Sequence, residues 1–277
     1  MRAASLLFAD SVGARVPPRA RARVHSVFLH ACNIETQAGE LVTLVAPGSG
    51  NLPHGIRCAA PFARLRQGQA AKLEGATLRF PAAQFVVDFS RAAVWNGRVA
   101  AVSPGQRGAE VQRVLRSRAP DQGIAPVLQR ALAARMAQTL PMLARATASR
   151  DVDAVVAALS ALVGLGAGLT PAGDDFIVGY LAALWSRSRR EPGIAALLLA
   201  LELPVGRLAR HTNAISRQML LDALQGHFAE RLTDVVRCIC GGGDVAAASM
   251  RALAVGHSSG ADALCGLVFG YSPTITH

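Results

Sequence analysis

The chain has 277 residues, 51% of them hydrophobic and 17% charged, which is ample for a buried core and excludes a mainly disordered protein. Its formal charge of +11 suggests nucleic acid, but Lys72 is the sole lysine among 29 basic residues and aromatics are only 5%, too few for a base-stacking surface. The charge therefore favours small anionic substrates or acidic partners over nucleic acid.

The first apolar run, residues 3–9, is interrupted by Asp10 and followed by no cleavage pattern, so no secretory leader is read there. Basic residues cluster at 15–23. Short β-branched and aromatic runs follow at 25–34, 41–46, 76–80, 85–89 and 92–95, with a tight turn expected at Asn96-Gly97. These predict an antiparallel β-rich domain, barrel-like or a sandwich, over residues 1–105. From residue 106 the spacing becomes helical. Helices are predicted at 110–118, 126–148 (divided by Pro141, with Thr139 as a cap), 151–163, 176–189, 194–203, 205–225, 228–240, 245–255 and 260–269. The fold class is thus α+β, a β-rich domain followed by a mostly helical domain over residues 106–277. Cys32, Cys58, Cys238, Cys240 and Cys265 match no common zinc spacing and read as free thiols in a reducing cytoplasm. The uncharged stretch 154–173 is long enough to span a bilayer. Its second half carries Gly164, Gly166, Gly168, Pro171 and Gly173, so it reads as a buried helix followed by a glycine-rich loop.

That loop carries the most chemistry. Alternate glycines let the backbone approach a ligand closely. Thr170 followed by Pro171 reads as a hydroxyl cap and a proline at the first helical position. A glycine loop feeding a helix N-terminus is a ready anion site, yet Asp174 and Asp175 in the first turn repel a bare anion. A bound Mg²⁺ held by Asp174 and Asp175, or a ligand that donates hydrogen bonds, would reconcile the two. Helix capping and close packing of the glycines is the simpler alternative.

Three further segments supply candidates. In G-H-S-S-G-A-D at 256–262, Ser259 and Asp262 have capping-box spacing, while His257 and Ser258 precede the helix and can face a ligand, His257 as donor or general acid. In R-H-T-N-A-I-S at 210–216, Arg210 can pair with an anion, and Thr212, Asn213 and Ser216 share a polar face. In the N-terminal domain His25 and Asn33 are polar residues on an apolar strand, able to reach a site between domains or to serve the strand itself.

The pattern G-x-G-L-T-P-x-G-D-D-F at 166–176, with H-S-S-G-x-D-x-L-x-G at 257–266, resembles the AllH (YlbF) family, long catalogued as a domain of unknown function with a loose carboxylase label. H-S-V-F-x-x-A-x-N at 25–33 and P-x-G-I at 53–56 resemble it too, and the segment 212–220 does so more loosely. The resemblance implies a subunit of oxamate carbamoyltransferase, an enzyme of anaerobic allantoin breakdown that moves carbamoyl groups between oxamate and phosphate, giving carbamoyl phosphate. It implies other subunits as partners; the cytoplasmic setting is expected from the cysteines, and no membrane is expected from the broken apolar stretch at 154–173. A homo-oligomer is compatible with it.

Together these give a transferase subunit that binds a small carboxylate or phosphate ligand between its domains. The expected catalytic residues are Asp174, Asp175 and His257. The expected substrate-binding residues are Gly166, Gly168, Thr170, Gly173, Ser258, Ser259, Arg210, Thr212, His25 and Asn33. Two alternatives stay open at this level: a non-catalytic structural or regulatory subunit, and a Mg²⁺-dependent hydrolase of a small acyl or phosphoryl compound.

Overall fold

The computed structural model describes residues 4–99, 108–117, 126–254, 256 and 258–271. The chain divides into two compact units, Met1–Gly97 and Arg98–His277.

The first unit is a mixed β-barrel. Its strands are β1 (Ser5–Gly13), β2 (Arg19–Val27), β3 (Ala31–Thr36), β4 (Leu41–Val45), β5 (Gly55–Cys58), β6 (Ala70–Glu74), β7 (Thr77–Phe80), β8 (Phe85–Asp88) and β9 (Ala93–Trp95). The order β5-β4-β3-β2-β6-β7-β8-β1 closes through a β1–β5 pairing, and β9 extends the β8 side of β1. Closure removes the free edges that would invite association. Most pairings are antiparallel, as expected, while β1–β8, β1–β9 and β4–β5 run parallel and make the barrel mixed. The inside is filled by Val24, Cys32, Ile34, Val42, Leu44, Ile56, Leu73, Leu78, Phe80, Phe85 and Val87, all buried.

Several strands differ from the sequence reading. The basic cluster at 15–23 contains most of β2, where Arg19, Arg21 and Arg23 alternate outward against Ala20, Ala22 and Val24. The run 25–34 is a hairpin rather than one strand, because the Phe28 N–H bonds back to the Ala31 carbonyl at 2.8 Å. Asn96-Gly97 forms no hairpin turn; the chain continues to an isolated bridge between Arg98 and His227.

The second unit is helical. It contains α1 (Gly108–Ser117), α2 (Pro126–Ser149), α3 (Val152–Ser160), α4 (Ala172–Ser188), α5 (Pro192–Leu208), α6 (Ala214–Leu224), α7 (Glu230–Gly241), α8 (Val245–Leu253) and α9 (Ser259–Tyr271). Caps explain several starts. Asp151, Asn213 and Asp244 accept first-turn N–H groups of α3, α6 and α8. Two expected breaks are absent. Helix α2 runs through Pro141, and α5 runs through Pro204. Thr139 is no cap; its hydroxyl bonds back to the Arg135 carbonyl at 2.9 Å. Burial of Leu143, Ala144 and Ala146 just beyond Pro141, and of Val205 beyond Pro204, holds the helical course where a lone proline would end it. Among the described residues one helix, Pro192–His211 including its 3-10 end, is long and apolar enough to cross a membrane. Its Ile194, Leu197, Leu198, Leu201 and Val205 lie in the helical core.

Helix α4 is the centre of this unit, with every residue from Gly173 to Leu184 buried. A helix apolar on all sides belongs inside. Its main partner is α9, which lies parallel to it: Gly179 faces Ala263 and Leu267, Gly266 faces Phe176 and Tyr180, and Gly270 faces Tyr180 and Ala183. The approach is so close that a Cβ on Gly179 would sit 1.8 Å from the Ala263 carbonyl oxygen, and one on Gly266 1.9 Å from that of Phe176. Phe269 packs on Phe176 and Tyr180, with ring centroids 5.5 and 6.1 Å apart.

Those backbone atoms cannot swing aside, so Gly179→Ala or Gly266→Ala must push the helices apart. We expect each to cost on the order of 3 kcal/mol or more in urea unfolding. Gly241→Ala, where a Cβ meets nothing within 4 Å, should be close to neutral.

Candidate functional site

The parallel packing of α4 and α9 places their N-termini side by side, and each begins with a polar segment singled out in the sequence. The loop before α4 takes the conformation its glycines permit: Gly164, Gly166 and Gly168 have φ of +70°, +119° and +103°. The loop folds back on the helix it feeds. The Gly173 N–H bonds to the Leu165 carbonyl at 2.8 Å, and a Cβ on Gly173 would strike the Leu162 carbonyl oxygen at 2.0 Å. Gly173 is therefore a packing glycine, and its N–H is engaged within the protein.

The two adjacent acids have different surroundings. Asp174 is 1% exposed, and both its oxygens are used: Oδ1 accepts the Gly164 N–H at 2.8 Å, and Oδ2 accepts the Thr212 hydroxyl. It ties the loop, α4 and the start of α6 together. Asp175 is 2% exposed, and its Oδ2 has no hydrogen-bond partner. Burial pushes its pKa up to about 7; the hydroxyls of Ser259 and Thr170 act the other way, and the charges of Asp262 and Asp174 add to the rise. Asp262, from α9, is also raised, by burial against an opposing hydrogen bond from Ser258. Its Oδ2 is likewise buried and unpartnered.

The hydroxyls of Thr170 and Ser259 bond to each other and close the loop onto the start of α9. Thr170 is thus not the cap of α4. Pro171 occupies the cap position, without a side-chain bond. The expected Ser259–Asp262 capping box is replaced by these two separate pairings. The cluster is Thr170, Asp175, Ser258, Ser259 and Asp262, beside the Gly166 and Gly168 backbone. Asp262 as a chemical group was not read from the sequence, because capping spacing accounted for it there.

Other expected residues lie elsewhere or outside the description. His257 falls outside the described residues. Thr212 serves Asp174. Arg210 is exposed and lines a groove of about 300 Å³ with Glu202, Leu203, Gly206, Arg207, Leu221, Leu224 and Gln225, a lining that does not include Asp175. Asn213 caps α6, accepting from the N–H groups of Ile215 and Ser216.

His25 and Asn33 belong to a polar row on the barrel. A bulge in β2 between Val24 and Ser26 lets His25 Nδ1 lie 3.1 Å from Ser26 Oγ. Asn33 donates to Ser26 Oγ at 3.0 Å and accepts the Thr43 hydroxyl at 2.8 Å. This row satisfies buried Asn33 entirely within the sheet.

A metal fits poorly. Both Asp174 oxygens already accept hydrogen bonds, and among the described residues no three of His, Cys, Asp and Glu gather to hold an ion.

A mixed β-barrel joined in sequence to a helical unit, with two carboxylate oxygens buried without donors where two parallel helices begin, defines the class: a two-unit α+β protein with a candidate polar site in its helical half. Two family models match it, the AllH family N-terminal domain over residues 4–94 and AllH, described as oxamate carbamoyltransferase subunit AllH, over residues 162–271. The chain belongs to the AllH family, and that description supports a subunit role in such an enzyme. No solved structure gives a significant match. Every member of the Asp175 cluster lies within residues 162–271.

The two acids should separate in stability experiments. Asp174→Asn turns one acceptor into a donor facing an N–H or O–H, and should cost about 1–3 kcal/mol in urea unfolding. Asp175→Asn should instead remove a pH dependence. Because the folded-state pKa is raised from 3.8 to about 7, the native state holds a proton that the unfolded state releases. This contribution is complete below pH 4 and is lost as pH rises to 7, by up to about 4 kcal/mol. The difference between wild type and Asp175→Asn, measured from pH 4 to 8, should slope accordingly; a flat difference would show that Asp175 titrates normally.

Proposed function

We propose that this chain is a carbamoyltransferase subunit that binds a small carboxylate or phosphate ligand, such as oxamate or carbamoyl phosphate, where α4 and α9 begin. The observation that carries the reading is the buried, unpartnered Asp175 oxygen at two adjacent helix N-termini, inside the segment matched by the family description. Buried acceptors without partners are costly to keep. Their persistence is understandable if a ligand completes them.

The chemistry of the residues supports this. Helix N-termini carry positive partial charge, which favours an anion placed beside them. Thr170, Ser258 and Ser259 hold the Asp175 and Asp262 carboxylates in place at the rim through their hydroxyls. Negative charge that builds on a carbonyl oxygen during carbamoyl transfer would be stabilised by the same fixed dipoles. In that transfer a bond between the carbamoyl carbon and one acceptor atom, the oxamate nitrogen or a phosphate oxygen, breaks as the bond to the other forms. The family description names a subunit, so other chains supply the remainder of the enzyme in this reading. The cytoplasmic setting and the role in allantoin breakdown belong to the same proposal.

Addition of oxamate or carbamoyl phosphate at millimolar concentration should raise the melting temperature of the chain, because binding to the folded state alone must stabilise it. The double variant Ser258→Ala, Ser259→Ala should lose that shift and slow the complex reconstituted with its partner subunits at least tenfold. An unchanged melting temperature, together with a variant complex that turns over at the wild-type rate, would overturn the proposal.

A further inference from the structure

Resting on that reading, we propose that Asp175 and Asp262 together select the ligand's primary amide, each accepting one of its two N–H groups, so that the site takes anions carrying a terminal NH₂ and rejects those with oxygen or methyl in its place. The argument is one of matching valences. Asp175 Oδ2 and Asp262 Oδ2 are both buried and both lack a donor, whereas the nearby hydroxyls of Thr170, Ser258 and Ser259 already engage the cluster. Asp174, next in sequence, has no such vacancy. Two acceptors from two helices held in fixed relation by Gly179 and Gly266 suit a planar group with two donors.

The electrostatics narrow the choice further. A ligand that is anionic over its whole length is repelled by two carboxylates. A simple cation is opposed by the positive ends of α4 and α9. A dipolar molecule, with an NH₂ at the carboxylates and an anionic group at the helix ends, satisfies both. The carboxylates also act against competitors, because an oxygen in place of the amide nitrogen meets two buried acceptor atoms that it cannot satisfy. Sites built to hydrogen-bond a donor group discriminate strongly against analogues that lack it.

Two pairs of near-isosteric probes test this. Oxamate and oxalate differ by NH₂ against O⁻, and carbamoyl phosphate and acetyl phosphate by NH₂ against CH₃. Calorimetric titration of the full chain at pH 8 should show oxamate binding at least tenfold more tightly than oxalate, and carbamoyl phosphate more tightly than acetyl phosphate. Asp175→Asn supplies a donor in place of an acceptor, and should bring the oxamate-to-oxalate preference below threefold. Asp262→Asn should shift the preference in the same direction, and circular dichroism confirms that each variant is folded. If the wild type binds both members of each pair equally, or if both variants keep the wild-type preference, amide selection is wrong while the anion site stands. If the wild type binds none of the four probes nor inorganic phosphate, the underlying ligand-site proposal fails, and this inference with it.

Discussion

The helical unit depends on one steric constraint, the absence of side chains where α4 crosses α9. With Gly179 and Gly266 at the crossing, each helix touches the backbone of the other. Packing at that distance leaves neither helix free to slide or rotate, because backbone carbonyls have no alternative rotamer. The consequence is felt one turn upstream. Asp175 stands four residues before Gly179, and Asp262 four residues before Gly266. The same i, i+4 relation in two parallel helices carries both acids to the shared beginning. Close packing and the placement of the two acids are thus one arrangement, because the glycines at the crossing fix where Asp175 and Asp262 stand.

The neighbouring acids show how environment divides roles between identical side chains. Asp174 holds the glycine loop to the α6 start through an N–H and a hydroxyl, and no pKa argument is needed to see it as structural. Asp175, one residue on, points to a different neighbourhood, keeps an oxygen without a donor and is held at a raised pKa chiefly by burial. A helix rotates about 100° per residue, so adjacent side chains are sent to different surroundings. The pair of acids is better understood as one staple and one acceptor than as a joint ligand for an ion. Desolvation of an unpartnered carboxylate lowers stability, and sites that bind or transform ligands are where such costs are retained.

What the sequence made legible follows from how local each signal is. A short apolar run is a local signal, so β4, β7, β8 and β9 were evident. β2 was hidden because its outward positions are arginines, which drew attention to charge when the informative feature was their period of two. The hairpin at 28–30 was hidden because Phe28 and Leu29 continue the apolar run through the turn. Parallel pairings such as β1–β8 join distant segments and leave no local trace. Pro141 and Pro204 were read as breaks because propensity is a local quantity, and burial overrode it. At the site, the loop and both acids were legible. The partition between them and the role of Asp262 were not, since these depend on which oxygens find donors in three dimensions.

The barrel shows the complementary case. His25, Ser26, Asn33 and Thr43 form a polar row whose members answer one another's hydrogen bonds, with a β2 bulge turning His25 toward Ser26. Judged by residue type alone, this row and the α4–α9 cluster look equally functional: each has hydroxyls, a carboxylate or carboxamide, and a nearby histidine in sequence. They differ in satisfaction. The row gives both polar atoms of the Asn33 side chain a partner within the sheet, whereas the cluster leaves two carboxylate oxygens without donors. Unmet hydrogen-bonding capacity in a buried place is a physical reason to expect a ligand, and a closed polar network is a reason to expect rigidity. That difference is the physical ground for proposing the ligand site in the helical unit and for reading the barrel's polar row as part of its wall.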